Sequence, residues 1–135
     1  ESSKQKTYKM SETVNVGYTS YRVWNAWWDN KSSDNQFINQ KPSANYLFID
    51  LTIRNDDREA RNIPPIKLID IDGREYETAV LIGVENAMGV LDSLNPTVEK
   101  RGIIVFDVPR NREYKLLVSG GYWTSEASVI DIEIN

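Results

Sequence analysis

The stretch Tyr46-Leu47-Phe48-Ile49-Asp50-Leu51-Thr52-Ile53-Arg54 decides the fold class of this chain. Every second residue after Tyr46 is a branched aliphatic, so four such side chains fall on one side of an extended strand: Leu47, Ile49, Leu51 and Ile53. Toward the end of the stretch, polar residues occupy the other side. A period of two residues is typical of a β-strand that buries one face. The sequence therefore predicts a half-buried strand here.

The same alternation recurs through most of the chain. Ile104, Phe106 and Val108 share one face of a second strand, and isoleucines alternate with acidic residues over residues 130–134. Weaker patterns predict further strands over residues 12–16, 19–28, 66–71, 76–81 and 114–119. Only residues 84–94 carry apolar side chains at three- and four-residue spacing, which is enough for one or two helical turns. About eight strands without a sustained helical period predict an all-β protein.

The residues between these strands favour antiparallel connections. Asp72-Gly73 predicts a tight hairpin turn in which Gly73 adopts a positive φ. Pro64 and Pro65 lack amide hydrogens and end the pairing between strands there. Strands that follow one another through turns predict a two-sheet, immunoglobulin-like antiparallel β-sandwich of seven to nine strands. We expect its core to contain Leu47, Ile49, Leu51, Ile53, Ile104, Phe106, Val108, Ile130 and Ile132.

Composition excludes several classes of function. The 135 residues include no cysteine and no histidine, which removes thiol nucleophiles, disulfides, imidazole bases and the usual zinc ligands. With 16 basic and 20 acidic residues the formal charge is -4, which gives no electrostatic basis for nucleic-acid binding. No apolar run approaches the roughly 20 residues of a transmembrane helix.

The chain divides into a short leader and one domain. Residues 1–9 are polar and without periodicity, which predicts an N-terminal tether, and residues 10–135 carry the predicted sandwich. The chain starts with Glu1 instead of methionine. We therefore expect that an upstream segment, such as a signal peptide, has been removed.

Three segments, taken in order, carry a family resemblance. The first is residues 46–55, a strand that ends in an asparagine, and the second is Leu-Ile-Asp-Ile-Asp-Gly-Arg-Glu-Tyr at 68–76. The third is residues 94–109, with a proline turn, Gly102 and a closing Phe-Asp-Val-Pro. Thr97 departs from the pattern, in which glycine follows the proline. Together the segments resemble a family of bacterial secreted and lipoprotein domains of unknown function, similar in architecture to the mycobacterial immunoprotective extracellular protein.

The resemblance implies a fold and a location. The fold is an immunoglobulin-like sandwich. The location is extracytoplasmic, either secreted or anchored to the cell membrane through an upstream lipidated cysteine that this chain does not contain. The resemblance implies no reaction, because no catalytic residues belong to these motifs.

Acidic residues in turns provide the main candidates for chemistry. Asp56, Asp57, Asp70 and Asp72 could offer oxygen ligands to calcium or a carboxylate pair to a glycosidase. Aspartate in a turn also satisfies local backbone amides without any metal, and the spacing of an EF-hand loop is missing. We predict no metal, no cofactor and no catalytic residue. A hydrolase that works with carboxylates alone remains an alternative.

The tryptophans are the most unusual feature of the composition. Period two along residues 19–28 places Tyr21, Val23 and Trp27 on one side and Trp24, Ala26 and Trp28 on the other, so one core cannot take all three indoles. Either a bulge redirects the strand or aromatic surface faces outward. Candidate ligand-binding residues are Trp24, Trp27, Trp28, Tyr122 and Trp123.

These observations predict a non-catalytic binding or structural module of a bacterial envelope lipoprotein. Its partner is either an unknown protein or a cell-wall glycan bound through an exposed tryptophan patch. We expect no contact with nucleic acid, and contact with a membrane only through the N-terminal lipid anchor.

Overall fold

The computed structural model describes residues 6–88, 93–120 and 126–135. Within these ranges the chain forms eleven strands and no helix. The strands are β1 (Lys6–Tyr8), β2 (Val14–Val16), β3 (Thr19–Asp29), β4 (Tyr46–Asn55), β5 (Arg61–Asn62), β6 (Lys67–Asp70), β7 (Glu75–Tyr76), β8 (Ser93–Leu94), β9 (Glu99–Asp107), β10 (Tyr114–Ser119) and β11 (Ala127–Asp131).

Two sheets form the sandwich. One has the order β1-β11-β10-β6-β7 and the other the order β2-β3-β4-β9, while β5 and β8 pair separately. Neighbouring strands are antiparallel, except that β1 runs parallel to β11. The predicted all-β, immunoglobulin-like sandwich is therefore confirmed.

The core lies between the two sheets and contains the predicted residues. Of the nine predicted core residues, eight are buried. Ile132 is only partly buried against this core, because β11 ends at Asp131 and the chain leaves the sheet there. Phe106, fully enclosed, is among the largest of the buried side chains.

Four segments differ from the sequence prediction. The strand predicted over residues 130–134 lies earlier, at Ala127–Asp131. Residues 6–8, expected to be part of a tether, form β1 and pair with β11, so the sandwich begins before Met10. The strand predicted over 76–81 ends at Tyr76. In place of helical turns within 84–94, the described residues form a turn, a bridge from Ala87 to Ile103, and β8.

The Asp-Gly motif builds the β6–β7 hairpin around one buried carboxylate. Gly73 has φ of +82° and donates its amide hydrogen to the Asp70 carbonyl over 3.0 Å, as the turn prediction required. The Asp70 side chain is fully buried. It accepts hydrogen bonds from the amides of Asp72 and Arg74 at 2.9 and 3.0 Å, and from the Tyr76 hydroxyl at 2.9 Å. Burial alone would raise the pKa of this carboxyl, but these hydrogen bonds outweigh it and lower the pKa.

The other two family segments also serve the fold. The Asn55 side chain donates to the carbonyls of Glu59 and Leu94, at 2.8 Å each, and so joins the loop after β4 to β8. Thr97 adopts φ of +65°, a left-handed conformation that glycine adopts without strain. The glycine expected after Pro96 is thus replaced by a residue held in the conformation that favours glycine.

Tyr114 makes a contact typical of immunoglobulin-like sandwiches. Its hydroxyl donates to the carbonyl of Pro109 over 2.6 Å, the arrangement known as a tyrosine corner. Burial of the ring raises the pKa of Tyr114 to about 12. The contact holds the loop between β9 and β10 against the core.

Candidate functional site

A β-bulge at Trp24 decides which side chains of β3 face the core. Val23 pairs with Leu51 of β4, and the next paired residue, Asn25, faces Asp50, so Trp24 is an extra residue in the ladder. A bulge of this kind changes the parity of all the positions that follow it.

Because of the bulge, the tryptophans of β3 are distributed between the two faces differently from the sequence prediction. Ala26 is buried in the main core beside Tyr21 and Val23, and Trp28 packs against that core from its edge. Trp27 faces the other way, toward the outside of the four-stranded sheet. The prediction that Trp27 shares a side with Tyr21 was therefore wrong, because it assumed an unbroken period. Both of the anticipated solutions, a bulge and outward-facing aromatic surface, occur together.

Trp28 belongs to the fold more than to a surface site. Its ring makes an edge contact with Tyr114, with the ring centres 6.4 Å apart, and the Arg110 guanidinium lies 5.5 Å from the indole. These contacts hold it against the main core.

Trp27 lies on the outer face of the four-stranded sheet in a second apolar cluster. Its indole stacks on Phe48 of β4, with the ring centres 5.6 Å apart and the planes 11° from parallel. Tyr46 and Val105 complete the buried part of this cluster. The partly exposed indole is thus held in a defined orientation by its buried neighbour.

A pocket of about 470 Å³ opens over these rings. Trp27, Phe48 and Ile103 line it from the sheet. Its walls come from two loops, through the residues Asp29, Lys31, Ser32, Ser33, Asp34, Gly83, Val84, Glu85 and Asn86.

The wall that contains residues 83–86 is fixed to the edge of β9 by backbone hydrogen bonds. Ala79 donates its amide hydrogen to the Val105 carbonyl over 2.7 Å, and Ile103 donates to the Asn86 carbonyl over 2.8 Å. Gly102 allows this approach, because a Cβ atom there would lie only 3.0 Å from the Asn86 carbonyl oxygen. The close approach of this loop therefore explains why the family motif has glycine at position 102.

The wall that contains residues 29–34 is held in place by hydrogen bonds from amide and hydroxyl side chains. Asn39 accepts a hydrogen bond from the Ser32 amide at 2.8 Å, and the Ser32 hydroxyl accepts one from the Gln40 amide at 2.7 Å. Gln40 in turn accepts from the Ile82 amide at 2.9 Å, which ties the two walls together. The pocket is therefore bounded by connected loops.

The pocket combines an aromatic floor with a polar rim. Three carboxylates, an amide, two hydroxyls and one lysine line it above the indole. An apolar ring face beside hydrogen-bonding groups suits a ligand that is itself apolar on one face and polar at its edge, such as a sugar ring.

Trp24 lies on the same outer face but is already engaged. Its indole N–H donates to the Thr52 hydroxyl over 2.8 Å. The guanidinium groups of Arg22 and Arg101 lie 4.3 and 5.0 Å from its ring centre. Arg101 also pairs with Asp50 at 2.8 Å. The structure thus brings Trp24 and Trp27 to one face and leaves Trp28 on the other. Tyr122 and Trp123 lie outside the described residues.

A second concavity, of about 670 Å³, lies at the other sheet. Asp70 lines it, together with Lys115 and Asp131, which form an ion pair of 3.2 Å. None of the described tryptophans borders it. Its polar groups are largely engaged in holding strands together, so the pocket at Trp27 is the better candidate site.

The aspartates considered for calcium or catalysis serve structural contacts. Asp56 pairs with Arg54 at 2.6 Å, and Asp57 pairs with Arg61. Across residues 6–88, 93–120 and 126–135, no group of three or more acidic side chains is arranged to hold a metal ion.

In the same ranges no helix has the length and apolar character needed to cross a membrane.

Sequence reasoning missed Phe48 and the loop residues of the pocket. The signal for Phe48 was present, since Tyr46 and Phe48 make the first half of β4 apolar on both sides. No pattern in the sequence indicated that residues 79–88 would run along β9.

A curated relative aligns with most of this chain. The "Uncharacterized protein YxkC" of Bacillus subtilis is 26% identical over 118 residues, which cover 78% of this chain and 65% of YxkC. The chain therefore spans slightly less than two thirds of the length of this relative.

Solved structures share the fold. The yjhA protein of Bacillus subtilis superposes with a TM-score of 0.71 at 14% identity, covering 93% of this chain and 99% of that one. The secreted protein MPT63 of Mycobacterium tuberculosis gives a TM-score of 0.68 at 11% identity, over 95% and 98% of the two chains. A Bacillus subtilis protein described as a "putative lipoprotein (ycdA)" gives 0.68 at 11% identity, over 90% of this chain and 38% of its own.

The family resemblance drawn from the three segments is confirmed at the level of the whole domain. A single family model covers the chain from β1 to β11, over residues 8–129. The chain belongs to the DUF4352 family, a domain of unknown function.

Proposed function

We propose that this chain is a non-catalytic binding module of a bacterial envelope lipoprotein, located outside the cytoplasm, and that it holds a glycan in the pocket at Trp27. Structural neighbours described as a secreted protein and as a "putative lipoprotein" support the location. The observation that supports a glycan as the ligand is the stacked pair of Trp27 and Phe48 at the base of an open pocket.

The geometry suits a sugar for two reasons. A pyranose ring presents C–H bonds on one face, which pack on an indole, and hydroxyls around its edge, which need donors and acceptors. The rim supplies both through Ser33, Lys31 and Asn86, together with the carboxylates of Asp34 and Glu85. Because Phe48 holds the indole in one orientation, little side-chain entropy is lost on binding.

The test is a titration with cell-wall oligosaccharides, followed by tryptophan fluorescence and calorimetry. We expect Trp27→Ala to weaken binding at least tenfold. The melting temperature should fall only modestly, because the variant loses the stack on Phe48 but leaves the main core between the sheets intact. Trp28→Phe is the matched control, because Trp28 contacts Tyr114 on the opposite side of the sheet. Equal binding by Trp27→Ala and the wild type would contradict the proposal.

The same titration addresses catalysis. Three carboxylates line the pocket, so the residue type that a glycosidase requires is present. A binding module leaves the oligosaccharide intact over many hours, and chromatography of the recovered ligand reports this directly. Release of shorter fragments would replace the binding proposal with a hydrolytic one.

A protein partner is the second candidate, favoured by exposed apolar side chains on the loops around the pocket. Phe37 is 88% exposed and Val80 is 80% exposed. Apolar side chains exposed to this degree mark protein contacts where they join into one continuous patch. Loss of a partner in Phe37→Ser, with glycan binding unaffected, would distinguish the two.

A further inference from the structure

Arg22 lies on the same outer face as the pocket and forms no ion pair with the residues that the structure describes. Its guanidinium stacks over Trp24 at 4.3 Å, and its Nε atom is buried. Within the part of the chain that the structure describes, this Nε has no hydrogen-bond partner and no carboxylate lies within ion-pair distance of the side chain.

Neighbouring cations on this face differ from Arg22. Arg101 forms two hydrogen bonds with the Asp50 carboxylate, at 3.1 and 2.8 Å. Arg54 pairs with Asp56 at 2.6 Å. Of the three arginines on this face, Arg22 is therefore the one without an ion pair among the described residues, and its stacking on Trp24 restricts its movement.

The spacing between Arg22 and the pocket follows from the strand register. Trp27 pairs with Phe48 and Arg22 pairs with Thr52, so four residues of β4 separate the two positions. At about 3.3 Å per residue this is roughly 13 Å along one strand and on one face. A chain of a few sugar units spans that distance.

We propose that the outer face is one extended site for an acidic glycan, in which the Trp27 pocket takes an uncharged sugar and Arg22 takes a carboxylate or phosphate group further along the chain. This inference rests on the proposed function. The rim of the pocket carries the carboxylates of Asp29, Asp34 and Glu85 beside the single cation Lys31, so its net charge is negative. An anionic group of the glycan is therefore disfavoured in the pocket and favoured at Arg22.

The experiment compares matched ligands and matched variants. The probes are a carboxylated and a phosphorylated oligosaccharide, each with its neutral counterpart prepared by carboxyl reduction or dephosphorylation. For the wild type we expect one acidic form to bind at least tenfold more tightly than its neutral counterpart, with an advantage that shrinks as salt is added. Arg22→Gln removes that advantage and leaves the neutral form unaffected, whereas Trp27→Ala weakens both forms.

The outcomes separate the two proposals. Equal binding of acidic and neutral forms by the wild type, or an unchanged advantage in Arg22→Gln, overturns the anionic subsite while the sugar pocket stands. Absence of all binding, or binding insensitive to Trp27→Ala, overturns the proposed function itself. Arg22→Met serves as a second variant, because its apolar stem still packs on Trp24 and preserves the fold while the charge is lost.

Discussion

The two faces of β4 follow the same alternation but have different environments. The inner face presents Leu47, Ile49, Leu51 and Ile53, each no more than 1% exposed. On the outer face, burial decreases along the strand: Tyr46 and Phe48 are buried, Asp50 and Thr52 are partly exposed, and Arg54 is exposed. Burial is therefore uniform along the inner face and decreases along the outer face.

The difference shows which face can acquire a function. The inner face packs against the other sheet along its whole length, so each position there is constrained by packing. The outer face is covered only where the loops of the pocket reach it, and beyond Phe48 its side chains meet solvent. Binding sites can arise where that cover ends, which is where Trp27 lies.

The largest effect should come from altering the register that separates the faces. Deleting Asp50, which pairs with both β3 and β9, moves Leu51 and Ile53 to the outer face. We expect a loss of more than about 5 kcal/mol, comparable to the whole stability of a small domain. Circular dichroism and urea denaturation measure it.

Deleting Trp24 is the matched control. Trp24 is the extra residue of the bulge, so its removal leaves Val23 and Asn25 adjacent and keeps Ala26 and Trp28 directed inward. We expect this variant to retain a cooperative unfolding transition. Equal loss of stability in the two deletion variants would contradict the conclusion that the bulge determines which side chains of β3 face the core.

Truncation of the inner face comes next. Phe106→Ala removes a fully buried ring between the sheets and should lower the free energy of unfolding by about 3 to 5 kcal/mol. Glycan affinity should persist in the folded fraction, because Phe106 faces away from the pocket. A loss below 1 kcal/mol would mean that this core relaxes around the cavity.

A smaller, pH-dependent loss is expected for Asp70→Asn, at the buried carboxylate of the other sheet. The pKa of Asp70 is lowered in the folded state, so its contribution to stability is complete above the unfolded pKa of about 4 and disappears as the pH falls through the folded pKa. The stability difference between wild type and variant should therefore be constant near neutral pH and shrink in acid. Thermal melts from pH 7 to pH 2 test this, and a difference that grew in acid would contradict it.

The smallest effect should come from the exposed part of the outer face. Thr52→Val removes the acceptor of the Trp24 indole hydrogen bond and should cost about 1 kcal/mol. Thr52→Ser retains the hydroxyl and serves as the control. Chemical denaturation resolves the difference, and a loss as large as that of Phe106→Ala would remove the distinction between the faces.

Sequence patterns predicted the inner face because burial there follows a strict period. The isoleucines and leucines of β4, Phe106 and the turn at Gly73 each depend on local geometry that a residue type specifies. The outer face could not be predicted in the same way. Its arrangement depends on the bulge at Trp24 and on residues 79–88 joining the edge of β9, which are long-range contacts without a local signal.

The candidate site was predicted in part for the same reason. The tryptophan-rich strand was correctly expected to place aromatic rings outside the core, but which indole faces outward depended on the bulge. Arg22 gave no signal at all, because a charged residue in a strand is ordinary. Its significance lies in the buried Nε atom without a hydrogen-bond partner and in the lack of an ion pair within the described residues, which only the structure reveals.

The parallel pairing of β1 with β11 has a mechanical consequence. Lys6 pairs with Ser128 and Tyr8 with Ile130, so the first and last strands of the sandwich run side by side in the same direction. A force that pulls the two ends of the domain apart therefore acts along both strands in opposite senses and strains their hydrogen bonds together, in shear, instead of breaking them one at a time. Terminal strands in this arrangement resist extension when the two ends of the domain are pulled apart.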